Sequence, residues 1–227
     1  MPPIHKAALA AALAGLLAGP ALAHGSHSHD DKHEDSQPET ETETGAGTPR
    51  GGVAQGYFED SQIAARALTD WEGDWQSVYP YLLDGALDVV MAHKAEHGDK
   101  TAQEYRAYYE TGYATDVDRI VIKDDFVTFF QDGQPVTGRY TDDGYEVLTY
   151  AQGNRGVRFV FRKTEGQPEA PDYIQFSDHI IAPEKSHHFH LYRGDDRAAL
   201  LEEVTNWPTY YPAALRAGEI AHEMIAH

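Results

Sequence analysis

The chain contains no cysteine among its 227 residues. That absence removes thiol nucleophiles, structural disulfides and every cysteine-bearing zinc site. Positive charge is also scarce. Lys+Arg number 18 against 37 Asp+Glu, giving a formal net charge of −19. Nucleic-acid binding needs surplus Lys/Arg to neutralise phosphates, and docking on an anionic membrane needs the same, so both are disfavoured. Long apolar runs are lacking beyond one N-terminal stretch, so no membrane-inserted segment is expected after that stretch is removed. What remains is a hydrophobic fraction of 41% and an aromatic fraction of 11%, enough for a core of one domain. The acidic balance favours cations as partners, and 13 His then stand out.

Residues 1–23 read as a secretory signal peptide. His5 and Lys6 form a short n-region, Ala7 to Gly19 is apolar or small, and Ala21-Leu22-Ala23 is a small-x-small cleavage site. The apolar stretch is too short to span a bilayer. Residues 24–52 have a different composition, with Ser, Thr, Glu, Gly and Pro and a single aliphatic side chain, Ala46. Such a segment cannot bury enough apolar area to offset its chain entropy, and a disordered acidic tail is expected. His24, His27, His29 and His33 fall within ten residues of it. Short His-rich tracts capture metal, so these four are candidates for weak auxiliary sites.

The ordered domain is assigned to residues 53–227. Leu87 to Glu96 has helical spacing, and Thr101 with Glu104 forms a capping-box pattern for a second helix ending near Gly112. From Arg119 the hydrophobic period becomes two. Runs at 119–123, 126–130, 136–140, 145–150, 157–161, 173–176 and 188–192 are separated by turn signals such as Asp132-Gly133, Asp142-Asp143-Gly144 and Gly153-Asn154. An earlier strand, with Gly73-x-Trp75, opens the series. These runs predict a mainly β fold: a calycin- or lipocalin-like antiparallel barrel with peripheral α-helices. Helices are expected over 197–204 and 213–225.

The segment from Phe176 to His190 holds the strongest chemical signal. His188 and His190 are two residues apart on an expected strand, so both imidazoles leave on one face. Phe189 leaves on the other, into apolar packing. The histidine pair then faces a cavity or the barrel lumen. His179 lies across a turn containing Pro183 and can return beside the pair. Three imidazoles without a thiolate suit Zn²⁺, Cu²⁺ or Ni²⁺. Asp178 and Glu184 are candidates for orienting an imidazole from behind, with solvated turn residues as the alternative. His187 reads as a surface residue or a donor behind a ligand, and His93, His97 and His222, on expected helices, read as surface residues, with a peripheral metal site as the lesser alternative.

Several strings resemble the ZinT (YodA) family. They are Leu68-x-Asp70-Trp71-x-Gly73-x-Trp75-Gln76-Ser77-Val78-Tyr79-Pro80, Tyr109-x-x-Gly112-Tyr113-Ala114-Thr115-Asp116, the run from Tyr173 to Pro183, His188-Phe189-His190, and Asn206-Trp207-Pro208-Thr209-Tyr210-Tyr211-Pro212. The resemblance implies a periplasmic barrel that binds zinc, and also cadmium and other divalent ions. It implies scavenging of zinc and its delivery to the solute-binding component of a zinc ABC importer. The family's three-His motif falls on His179, His188 and His190, and the resemblance implies that a His-rich N-terminus assists capture. Best-known members carry two cysteines on neighbouring strands; here those places fall near Gly138 and Lys163. The rival expectations are a three-His zinc metalloenzyme with a carbonic-anhydrase-like site, and a carrier of a small apolar ligand. The enzyme would need a nearby general base, and none is identifiable in the sequence.

Overall fold

A computed structural model describes residues 52–203 and 205–226. The expected signal peptide and the histidines at 24, 27, 29 and 33 lie outside the described residues. Eight antiparallel strands form a closed barrel in sequence order: β1 (Gly73–Ser77), β2 (Arg119–Lys123), β3 (Phe126–Gln131), β4 (Gln134–Thr149), β5 (Arg155–Gly166), β6 (Tyr173–Ser177), β7 (Phe189–Gly194) and β8 (Thr209–Pro212). Five α-helices decorate it: α1 (Tyr79–Leu83), α2 (Asp88–His97), α3 (Ala102–Tyr113), α4 (Arg197–Glu202) and α5 (Ala217–Ala226). None of the described helices is long and apolar enough to cross a membrane.

Local chemistry accounts for much of this. Lys123 pairs with Phe126 and Gln131 with Gln134, so two-residue turns join β2 to β3 and β3 to β4. The second turn has Asp132 at φ 48° and Gly133 at φ 75°, the doubly left-handed geometry that matches strand twist. The α3 capping box forms as the sequence predicts: Thr101 Oγ1 accepts from the Glu104 N–H, and Glu104 accepts from the Thr101 N–H.

One expectation of a turn is corrected. Asp142-Asp143-Gly144 does not reverse the chain. It is a bulge inside β4, because the runs on both sides pair with the same strand β5, at Asp142↔Phe161 and Tyr145↔Phe159. Arg197 holds that bulge from α4, donating to Asp143 Oδ2 and Glu146 Oε1 at 2.9 Å each. Residues 209–212, to which the sequence pattern assigned no element, form the closing strand, paired with both β7 and β1. Helix α3 does end near Gly112, as expected, at Tyr113, with Gly112 itself inside the last turn. A Cβ there would lie 2.3 Å from the Trp207 ring, so glycine serves close approach.

Two cores result. Alternate residues of the strands fill the lumen with Trp71, Trp75, Phe129, Phe159, Phe161, Phe176, Phe189 and Tyr210. Trp71, from the 3₁₀ turn 68–71, is fully buried and stacks on Phe176 at 4.7 Å. Large rings packed across the lumen disfavour the carrier reading. The second core lies between the outer barrel wall and the helices. It includes Leu82, Met91, Tyr113, Tyr192, Trp207, Tyr211, Ile220 and Met224. The places near which the family's cysteines fall, Gly138 on β4 and Lys163 on β5, do lie on adjacent strands, opposite Gly166 and Tyr140.

Candidate metal centre

His179, His188 and His190 converge at the seam between the two cores. His188 immediately precedes β7, and His190 is its second residue, with Phe189 between them fully buried in the lumen. Since Phe189 and Leu191 belong to the lumen core and Tyr192 to the outer one, His190 faces outward. The pair was expected to face a cavity or the barrel lumen; the lumen is excluded, because Phe189 and Leu191 occupy it and the pair faces the outer side. The three ring centroids form a nearly equilateral triangle: 6.1 Å for 179–188, 5.9 Å for 179–190 and 6.2 Å for 188–190. Imidazole nitrogens bind zinc at about 2 Å, which brings ring centres of a shared tripod to about 5 Å. The observed triangle is wider by about 1 Å, a difference that small side-chain rotations span.

His190 is held in one tautomer. Thr209 Oγ1 donates its proton to the Trp207 carbonyl at 2.9 Å, so towards His190 Nδ1, 2.8 Å away, it accepts. Nδ1 must carry hydrogen, and the lone pair lies on Nε2. That hydrogen bond behind a ligating ring is the arrangement that orients metal ligands in general. Thr209 is 2% exposed, on β8 opposite His190. His188 is fixed differently. Its ring stacks on Tyr211 at 5.0 Å with planes 10° apart, and its carbonyl accepts from Ser186 Oγ at 2.8 Å.

His179 starts the loop 178–188 with φ 64°, a left-handed conformation that is costly for a non-glycine residue. Its neighbours stabilise that turn. Asp178 Oδ1 accepts from the Ile180 N–H at 3.2 Å and from Arg66 at 2.6 Å. Arg66 is 2% exposed and also donates to the Ile180 and Glu184 carbonyls and to Asp70, while its guanidinium lies 4.0 Å over the Trp71 ring. One buried cation thus anchors the histidine loop to the segment leading into the barrel. Glu184 takes part through its main-chain carbonyl, and its side chain is exposed. Asp178 Oδ2 is buried without a hydrogen-bond partner, and Asp178 lines the same pocket as His179 and His188.

A pocket of about 330 Å³ opens here, lined by Asp178, His179, Ile180, His187, His188, Tyr211 and, from α5, Glu223 and Ala226. Burial, and after it the Glu223 carboxylate, push the Tyr211 hydroxyl far above the ordinary phenol range, so it stays protonated. The donor set is all imidazole with carboxylates nearby, which fits a borderline divalent cation. A larger depression of about 710 Å³ lies elsewhere, around Asp124, Arg139, Tyr140 and Glu165. Its Arg139 is already paired with Asp125 and Glu165. The sequence pattern pointed to His179, His188 and His190. Thr209, Arg66 and Tyr211 carried no local signal, because their contacts to the site span long sequence separations or cross strands.

The family profile for ZinT (YodA), periplasmic lipocalin-like zinc-recruitment, matches residues 50–227. A probable metal-binding protein of Bacillus subtilis, YrpE, is 61% identical over 176 residues, covering 77% of this chain and 70% of its own length. The zinc-binding lipoprotein AdcA of Streptococcus pneumoniae is 50% identical over 177 residues, and this chain spans only 35% of its length. The crystal structure of the Zn(II)-bound ZinT-like domain of that AdcA superposes with a TM-score of 0.74 at 49% identity, covering 77% of this chain and 98% of that domain. The profile match takes in both cores and all three histidines, and the chain belongs to the ZinT (YodA) family.

Proposed function

We propose that this protein is an exported, periplasmic zinc-recruitment protein that binds the metal without turning over a substrate. His179, His188 and His190 hold the ion through imidazole nitrogen, with Thr209 orienting His190 and Tyr211 bracing His188. The observation that carries the reading is the convergence of three imidazoles, two of which, His179 and His188, line an open pocket, while the third, His190, has its tautomer fixed from behind. The Zn(II)-bound ZinT-like domain of AdcA supports zinc as the cargo. Cadmium, nickel and copper share the preference for imidazole, so they are competing cargoes. The pocket's position at the outer wall suits hand-over, because cargo leaves without passing through the packed lumen. The recipient in this reading is the solute-binding component of a zinc ABC importer. The histidines at 24, 27, 29 and 33 act as auxiliary capture sites of lower affinity. A chelator-competition titration of the full chain tests the proposal. One tight zinc equivalent is expected, and it is lost in the double variant His188→Ala, His190→Ala. Retention of the tight equivalent in that variant overturns the assignment.

A further inference from the structure

Helix α2 carries a second group of metal-type donors, away from β7. His93, Glu96 and His97 stand at i, i+3 and i+4, and so share one helix face. Their donor atoms all lie within 4.8 Å of one another. The two imidazole centroids are 4.5 Å apart. His97 Nδ1 lies 2.9 Å from the His93 carbonyl oxygen. A carbonyl only accepts, so Nδ1 carries the hydrogen and the lone pair of His97 sits on Nε2. The ring is therefore held with its ligating nitrogen available, the same backing that Thr209 gives His190. Lys94, the nearest cation in sequence, directs its ammonium over the Tyr109 ring at 5.5 Å.

We infer that His93, Glu96 and His97 form a second, surface site for one borderline divalent cation, with two imidazoles and one carboxylate as ligands and water completing the shell. Imidazole donors select zinc, copper or nickel over calcium or magnesium. His93 is half-buried and the other two residues are exposed, so the site exchanges freely with solvent and binds more weakly than a buried tripod. Its helix packs against α5, which carries Glu223 and Ala226 to the rim of the three-histidine pocket. A cation held on α2 thus resides on the same helical layer that borders the main pocket. The inference rests on α2 alone and stands whether or not the three histidines bind zinc.

Two measurements with zinc as the probe decide it. In the full chain with ¹⁵N-labelled histidine, long-range ¹H–¹⁵N spectra are followed as zinc is added beyond the first equivalent. The His97 Nε2 and His93 ring-nitrogen signals are expected to shift saturably, and to do so equally in the His188→Ala, His190→Ala background. Equilibrium dialysis of the full-chain variant His93→Gln, His97→Gln should then show one zinc fewer per chain, with the tight equivalent unchanged. Glu96→Gln, which keeps shape but removes the anion, should weaken that equivalent. Ring signals that stay still on zinc addition, or an unchanged zinc count in the double variant, overturn the site. The spectra of the unsubstituted chain decide the site by themselves, so a folding defect in a variant leaves the test intact.

Discussion

At the residue scale, the proposed metal centre depends on a few side chains whose roles can be separated. Thr209→Val keeps the volume of a buried residue and removes the acceptor for His190 Nδ1 together with the donor to the Trp207 carbonyl. Zinc affinity should fall by roughly 10- to 100-fold while the fold persists, since a group behind a ligand acts on affinity and not on ligation itself. A chelator-competition titration reads that change, and an affinity equal to that of the unaltered chain would remove Thr209 from the site. Arg66 is a different case. Its side chain and that of Asp178 are both fully buried, at 2.6 Å. Arg66→Met leaves the Asp178 carboxylate buried without its cation, and breaking such a pair costs about 3–5 kcal/mol. Denaturant unfolding should show that loss. Metal affinity should fall with it, because the left-handed turn at His179 loses its anchor.

At the element scale, α3 shows how a tertiary contact overrides a local preference. Alanine is favoured over glycine in a helix by about 1 kcal/mol. At Gly112 the added methyl would sit 2.3 Å from the Trp207 ring, far inside contact distance. Gly112→Ala should therefore destabilise, by about 1–3 kcal/mol of overpacking less that gain. A midpoint shift in urea at unchanged slope checks it. The capping box of α3 was legible because its partners lie three residues apart. The role of Gly112 was not, because Trp207 arrives from the far end of the chain. The same division holds for the strands. Paired two-residue turns around β3 are local and readable. The bulge in β4 depends on β5 pairing with both of its halves, and β8 is too short to show a period.

At the scale of the whole molecule, the lumen core is built of side chains, with Trp71 in ring contact with Phe159, Phe161 and Phe176, and Phe161 with Phe176. Stripping metal should leave a folded protein, unlike a small zinc finger whose core is the ion. Saturating zinc should add stability by linkage, about 2.7 kcal/mol at free zinc 100 times Kd. Calorimetric scans with and without zinc should differ by several degrees; unfolding on metal removal would mean that the ion is structural. By itself the sequence determined the barrel class, and it pointed to a cation as partner and to His179, His188 and His190 as its proposed ligands. Each of these follows from alternation, charge and residue chemistry, which are local properties or sums. Only the tertiary structure decided that the histidines face the outer wall. A period of two puts His188 and His190 together but does not say which face is inside, and that sign is set by where Phe189, Leu191 and Tyr192 find their packing partners. It likewise decided which groups stand behind the ligands, because Thr209 and Arg66 reach the site only once the barrel has closed.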